Sequence, residues 1–234
     1  MFRRPVHREA ARVLGAFDER ALRRCRCLFG GGTQIALELD EFRESRDIDF
    51  LCSDATGYAE LRSLARSGGG QALLPRAAEG GLVLPREIRA DQYGVRFPVV
   101  AGEWTFKVEM IREGRIALGP GERLAGCPVD ALAREDVFAE KLLANSDRWA
   151  DKSTLARDLI DLSALRHRHG PIPASAWAKA ESAYGAPVRG DLRQAIALFQ
   201  GDLEFQRRCF EGLRIERPEP VLEGLALLEV EGAG

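Results

Sequence analysis

A chain of 234 residues, 45% hydrophobic and 30% charged, has enough apolar material for one large or two small domains with a real core. No apolar run approaches the roughly 18 residues that a membrane span needs. The start, Met1-Phe2-Arg3-Arg4-Pro5, has a basic flank but lacks the apolar stretch of a secretory signal, so a cytoplasmic protein without membrane partners is expected. The net charge of −2 hides an Arg-rich segment over residues 3–26 and an acidic lean from Asp202 onward. Five scattered cysteines (25, 27, 52, 127, 209) and three histidines lack zinc-site spacing, which predicts reduced thiols. The basic residues are nearly all Arg. The only lysines are Lys107, Lys141, Lys152 and Lys179, so a retained lysine points to a need for a compact ammonium rather than a planar fork.

In chain order, residues 6–24 read as a helix with Val6, Ala10, Val13, Leu14 and Phe17 as its apolar stripe. Residues 26–30 are a short buried strand, and 33–41 a helix opened by Thr33 as N-cap. A strand over 47–53 follows, then a helix over 56–67 ended by Gly68-Gly69-Gly70. The stretch 81–118, with short apolar runs broken by Gly and Pro, predicts antiparallel strands. Beyond Pro128 the pattern turns helical over 130–149, 153–167, 174–184, 188–200 and 202–213. The expected plan is α/β (α+β), an α/β amino-terminal half followed by a helical carboxy-terminal half. The boundary lies near residues 119–128, giving domains of 1–125 and 126–234.

The most informative segment is Leu28-Phe29-Gly30-Gly31-Gly32-Thr33-Gln34-Ile35, followed by Asp47-Ile48-Asp49-Phe50. An apolar strand runs into glycines and a helix, whose bare N–H groups suit an anion. Residues i and i+2 of a strand share a face, so Asp47 and Asp49 can aim their oxygens at one point. Mg²⁺ takes one or two carboxylates together with substrate phosphates. The glycine run is neither a P-loop nor a dinucleotide fingerprint, since both spacings are missing; its bland alternative is a tight strand-to-helix turn. In 104–111, Trp104, Phe106, Val108 and Met110 alternate with Thr105, Lys107, Glu109 and Ile111. Glu109 could be a third carboxylate of a two-metal site, or half of a solvated Lys/Glu pair. Downstream, Lys141 and Arg148 lie two turns apart on one helical face, and Asp158 and Asp161 one turn apart on the next helix. An exposed face laced with ion pairs would give the same pattern.

These residues resemble the DNA polymerase β-type nucleotidyltransferase superfamily, and within it the nucleotidyltransferase toxins of abortive-infection and type IV toxin–antitoxin systems, the AbiEii/AbiGii family. The resemblance is carried by Gly31-Gly32-Thr33, Ser45-Arg46-Asp47-Ile48-Asp49-Phe50, Lys107-Val108-Glu109, Glu140-Lys141-Leu142 and Arg157-Asp158-Leu159-Ile160-Asp161-Leu162. It implies a polymerase β-like lobe with a mixed sheet and a helical lobe, with NTP and Mg²⁺ in the cleft between them. By the same resemblance Asp47, Asp49 and Glu109 would hold metal, and Asp47, Asp49, Glu109, Lys141 and Asp158 would be catalytic. Gly31, Gly32, Thr33, Arg46, Lys141 and Arg148 would bind the nucleotide. The implied reaction is Mg²⁺-dependent transfer of NMP from NTP to a hydroxyl, with RNA, the tRNA 3′ end, as acceptor and a cognate antitoxin as partner. Two alternatives stay open: a binding module with a degraded site, and transfer to a small molecule or protein side chain.

Overall fold

The computed structural model describes residues 2–84 and 87–232. Residues 85 and 86 of the expected β-rich stretch, and the outermost residues of both expected domains, lie outside the described residues. The chain forms two compact units, Met1–Glu41 with Ser45–Ala133, and Phe42–Glu44 with Arg134–Gly234.

The first unit is built on a mixed sheet of seven strands among the described residues. They are β1 (Leu28–Gly30), β2 (Ile48–Cys52), β3 (Arg89–Ala90), β4 (Gly94–Ala101), β5 (Trp104–Arg112), β6 (Glu122–Arg123) and β7 (Asp130–Ala131), in the order β3-β4-β5-β2-β1-β7-β6. The expected antiparallel pairing holds for the β4–β5 hairpin. However, β5 runs parallel to β2, and β7 parallel to β1. Those pairings join segments far apart in sequence, which a local pattern cannot register. Alternation puts Ile48, Phe50, Phe106, Val108 and Met110 in the core, and toward the end of β2 Leu51 is buried as well. Phe50 packs against Phe17 and Phe29 with ring centroids 4.9 and 5.8 Å apart. Each fully buried aromatic of this kind contributes about 1.5–3 kcal/mol.

The expected helix 6–24 is two helices, α1 (Pro5–Ala16) and α2 (Glu19–Arg24). The break comes at Phe17, which is extended, and Asp18, whose carboxylate caps α2 by accepting from the N–H groups of Arg20 and Ala21. The helix after β1, α3 (Gly31–Glu38), starts two residues earlier than expected, with Gly30 rather than Thr33 at its N-cap. α4 (Ala55–Leu73) does not stop at the glycine triplet; Gly69 interrupts it with φ 60° and ψ −153°, a backbone that glycine adopts without strain. All five cysteines are buried and free of disulfides. Burial pushes the Cys27 thiol well up and that of Cys52 to about 11, so these thiols are protonated core residues at neutral pH.

The second unit consists of α5 (Arg134–Arg148), α6 (Arg157–His169), α7 (Ala174–Tyr184), α8 (Pro187–Gln200), α9 (Leu203–Gly212) and α10 (Glu219–Gly232). The acidic tail is therefore a folded helix. Val221, Leu225 and Leu228 are buried at i, i+4 and i+7, and Gly224 lies so close to α6 that a Cβ there would stand 1.9 Å from the Ser163 carbonyl oxygen. Gly224→Ala should accordingly cost about 1–3 kcal/mol by overpacking, read as a lower urea midpoint; an unchanged midpoint would mean that α10 docks elsewhere. No helix among the described residues is long and apolar enough to cross a membrane.

Candidate active site

In the first unit, the glycine turn and the Asp-Ile-Asp strand meet by register. Gly30 on β1 stands opposite Asp49 on β2, and Asp49 stands opposite Glu109 on β5. Arg96 on β4 faces Glu109 in turn, and Arg89 on β3 faces Arg96. Cross-strand partners share a sheet face, so one row carries a glycine, two acids and two arginines. Asp47 precedes β2 by one residue, and both it and Asp49 are half-buried.

Two glycines are dictated by contact. A Cβ on Gly30 would lie 2.6 Å from Leu51 Cδ1 and 2.8 Å from Leu132 Cδ1. Gly31 has φ +72°, and a Cβ there would lie 2.3 Å from Asp49 Oδ2. The Asp49 carboxylate thus rests directly against the first turn of α3, in space that only glycine leaves. The N-cap of that helix has no side-chain hydrogen bond, so its first N–H groups depend on other partners. Gly31→Ala should push the carboxylate out of this position and lower activity about as far as losing one well-placed group, roughly 10²-fold. Transfer assays paired with thermal unfolding would check this; full activity in a folded variant would overturn it.

Thr33 is fully buried. Its hydroxyl donates to the Asp47 carbonyl and lies 2.9 Å from the Ser45 hydroxyl. It fixes the backbone that presents Asp47, and its side chain is committed there. Gln34, also buried, donates from Nε2 to the Leu132 carbonyl at 2.8 Å and pins α3 from the other side. Gly32 falls in the same first turn, and Arg46 is exposed one residue before Asp47. Glu109 comes to the same row as Asp49, but cations hold its carboxylate: Arg96 Nε at 3.0 Å and Lys107 Nζ at 2.5 Å. Among the described residues no group of three or more His, Cys, Asp or Glu side chains is arranged to hold a metal ion. Asp47 and Asp49 are a two-carboxylate set, which still fits Mg²⁺ because that ion fills its remaining positions with water and phosphate.

In the second unit, Lys141, Arg148 and Asp158 come together as part of a larger cluster. Lys141 Nζ lies 2.9 Å from Asp158 Oδ1 and 2.6 Å from Asp161 Oδ2. Arg148 grips Asp158 with two nitrogens at 2.6 and 3.0 Å. Arg43, from the segment Phe42–Glu44, holds both oxygens of Asp161 at 2.6 and 2.8 Å. Three cations therefore surround two anions. Burial alone would raise the Asp158 carboxyl, but the Lys141 charge and the Arg148 hydrogen bond outweigh it and hold the group well below the usual carboxylate range. Burial likewise pulls Lys141 down, while Asp161 and Asp158 more than compensate and raise it. The pattern that suggested a solvated helix face is in fact a buried one: Lys141 is 7% exposed, Asp158 4% and Asp161 0%. Arg148 alone of the five keeps a partly exposed side chain.

Arg43 has no sequence signal, since its partner is 118 positions away. Asp161 stands in the Arg157–Leu162 block but has no role there until Arg43 and Lys141 are seen to meet on it.

Residues 12–218 match the model of a family described as nucleotidyl transferase AbiEii toxin, type IV TA system. Among solved structures, JHP933 from Helicobacter pylori is 18% identical over 100% of this chain and 95% of its own, with a TM-score of 0.52. MenT4, a nucleotidyltransferase toxin from Mycobacterium tuberculosis, is 18% identical over 95% of this chain and 92% of its own, with a TM-score of 0.37. Only the first is near enough to show a shared fold. A search of curated proteins finds no significant match.

Proposed function

The chain belongs to the AbiEii family of nucleotidyltransferase toxins of type IV toxin–antitoxin systems, and on that premise we propose that it transfers NMP from NTP to a hydroxyl of RNA, the tRNA 3′ end, in a Mg²⁺-dependent reaction. Membership makes it a nucleotidyltransferase and implies an NTP substrate and an antitoxin partner. The acceptor and the metal are the part proposed.

The observation that carries the proposal is the Asp49 carboxylate resting on Gly31 at the first turn of α3, with Asp47 two residues before it. Negative and positive features are side by side: carboxylates for a metal, and main-chain N–H groups with the positive end of a helix for phosphate. Asp47 and Asp49 would hold Mg²⁺. Bound there, the ion would neutralise charge on the phosphates as pyrophosphate leaves. Glu109 would join the two aspartates only by exchanging Arg96 and Lys107 for the metal. Thr33 and Gln34 keep the strand and helix from shifting, so the carboxylates are positioned before substrate arrives. Gly31, Gly32 and the Thr33 N–H are the proposed triphosphate contacts, with Arg46 beside them. In the second unit, the exposed part of Arg148 is the proposed phosphate contact; Asp158, held by Lys141, keeps that guanidinium oriented.

The test is incubation of the full chain with each α-labelled NTP, Mg²⁺ and total tRNA, followed by separation of RNA, protein and free nucleotide. Label at the RNA 3′ end, abolished by chelator, is the expected result. Label in protein would redirect the reaction to a side-chain acceptor, and absence of transfer with every NTP and acceptor would favour a binding module.

A further inference from the structure

We propose that His7, neutral and with its proton on Nδ1, is a positioning residue for Asp47: its Nε2 accepts from the Ser45 N–H and fixes the backbone that presents the carboxylate. This rests on the reading of Asp47 as a metal-holding group of an NTP-using transferase.

His7 sits in the first turn of α1, is fully buried, and has both ring nitrogens engaged within the first unit. Nδ1 lies 2.9 Å from Glu41 Oε1, and Nε2 lies 3.2 Å from the Ser45 nitrogen. The two partners settle where the proton is. A backbone nitrogen can only donate, so Nε2 is an acceptor and carries no proton. An ionised carboxylate can only accept, so Nδ1 carries it. Glu41 is ionised: burial alone would raise its carboxyl, but the N–H groups of Arg3 and Arg4 and the His7 ring outweigh that and hold it below the usual carboxylate range. The fold therefore holds a neutral imidazole that donates at one end and accepts at the other.

The Glu41 end of the ring has a structural purpose of its own. α1 has no acidic residue in its first turn and no side-chain hydrogen bond at its N-cap. Glu41 stands in for both, taking the Arg3 N–H at 2.5 Å and the Arg4 N–H at 2.8 Å. To bring it there the chain passes through Asp40 and Glu41 with φ of 55° and 57°. Two successive left-handed residues that are not glycine are strained, and persist only where their surroundings hold them. The Ser45 end of the ring is not needed for any of this. Its effect is on the approach to β2. Ser45 lies two residues before Asp47, and the buried Thr33 meets both, its hydroxyl 2.9 Å from the Ser45 hydroxyl and donating to the Asp47 carbonyl. The backbone leading to Asp47 is thus held at two points, from α3 by Thr33 and from α1 by His7. Groups that orient a metal ligand from behind are worth about 10- to 100-fold in metal affinity or activity.

The two ends of the ring can be tested apart. An asparagine amide falls near the place of Nδ1 and a glutamine amide near that of Nε2. His7→Asn should keep the Glu41 contact and lose the Ser45 acceptor, and His7→Gln should do the reverse. In the labelled-NTP assay of the full chain, His7→Asn should raise the Mg²⁺ concentration for half-maximal transfer about 10- to 100-fold. His7→Gln should recover most of that loss. The unfolding midpoints should fall in the opposite order, with His7→Gln the less stable of the two. A Mg²⁺ titration followed at the Asp47 amide resonance makes the same comparison without catalysis. Activity that follows the unfolding midpoints, or an equal Mg²⁺ requirement in wild type and both variants, would overturn the proposal. So would a long-range ¹H–¹⁵N spectrum of the wild type showing the His7 proton on Nε2, or on both nitrogens at neutral pH. The expected Mg²⁺ shifts at Asp47 with no transfer to any acceptor would keep His7 as a positioning residue and remove the transfer reading. Transfer with no dependence on the residue at position 7 would do the reverse, and an Asp47 amide that ignores Mg²⁺ in the wild type would remove both.

Discussion

Asp49→Ala should abolish nucleotide transfer and leave the first unit folded. On the proposed reading, the group removed would hold the metal that stabilises charge at the reacting phosphate, a contribution of several kcal/mol. At 1.36 kcal/mol per tenfold this is a loss of roughly 10³-fold or more in kcat. Stability should change little, because Asp49 is half-buried, and its removal leaves the core face of β2, with Ile48, Phe50 and Cys52, intact. Asp49→Asn is the sharper variant, since it keeps the shape and removes the charge. The expected pattern is that both variants unfold near the wild-type temperature and neither labels RNA. Glu109→Gln should behave differently. Its partners Arg96 and Lys107 would lose an anion without a metal being lost, so transfer should fall less than in Asp49→Asn. Equal loss in the two variants would promote Glu109 to a metal ligand, and activity in Asp49→Asn within about tenfold of wild type would remove the carboxylate pair from the chemistry.

How much of this was visible before the structure depends on the range of the interaction. The Asp47/Asp49 alternation and the glycine turn were legible because strand period and turn chemistry act over a few residues. What Gly31 does was not: the space that its missing Cβ leaves for the Asp49 carboxylate appears only when β1 and β2 pair antiparallel. The Thr33 cap failed for a related reason. A threonine before an apolar run looks like an N-cap, but here the chain turns helical two residues sooner, and the hydroxyl is drawn to Asp47 across 14 positions. The break at Phe17 left a signal that the apolar stripe concealed: Asp18 followed by Glu19 is a helix start. The tail helix left one too, since Val221, Leu225 and Leu228 keep helical spacing within acidic surroundings. Arg43 and the parallel β2–β5 pairing left none.

The second large effect belongs to Lys141. A lysine touching two buried carboxylates at 2.9 and 2.6 Å cannot be removed without leaving excess buried negative charge. Breaking a buried pair from one side costs about 3–5 kcal/mol. Arg43 and Arg148 remain on Asp161 and Asp158, so Lys141→Met should fall near the lower end. The sign of the pH dependence follows from the shifts. Asp158 is lowered in the folded state, so its contribution is present above its unfolded pKa, about 3.9, and is lost as pH falls through the folded value. Lys141 is raised, so its contribution is present below its unfolded pKa, about 10.4, and is lost as pH climbs through the folded value. The intact cluster therefore works across the whole neutral range. In Lys141→Met the Asp158 carboxylate loses the largest of the influences that hold it ionised, and its protonation on acidification relieves the strain. The deficit against wild type should thus be largest near neutral pH and shrink toward about pH 4, as read by urea unfolding at both. Lys141→Arg tests shape separately, because a planar guanidinium cannot occupy the closed space of an ammonium. It should lose far more stability and transfer than Lys179→Arg, whose parent lysine is partly exposed. A deficit independent of pH, or equal tolerance of the two arginines, would show that the cluster does not need the Lys141 charge at its centre.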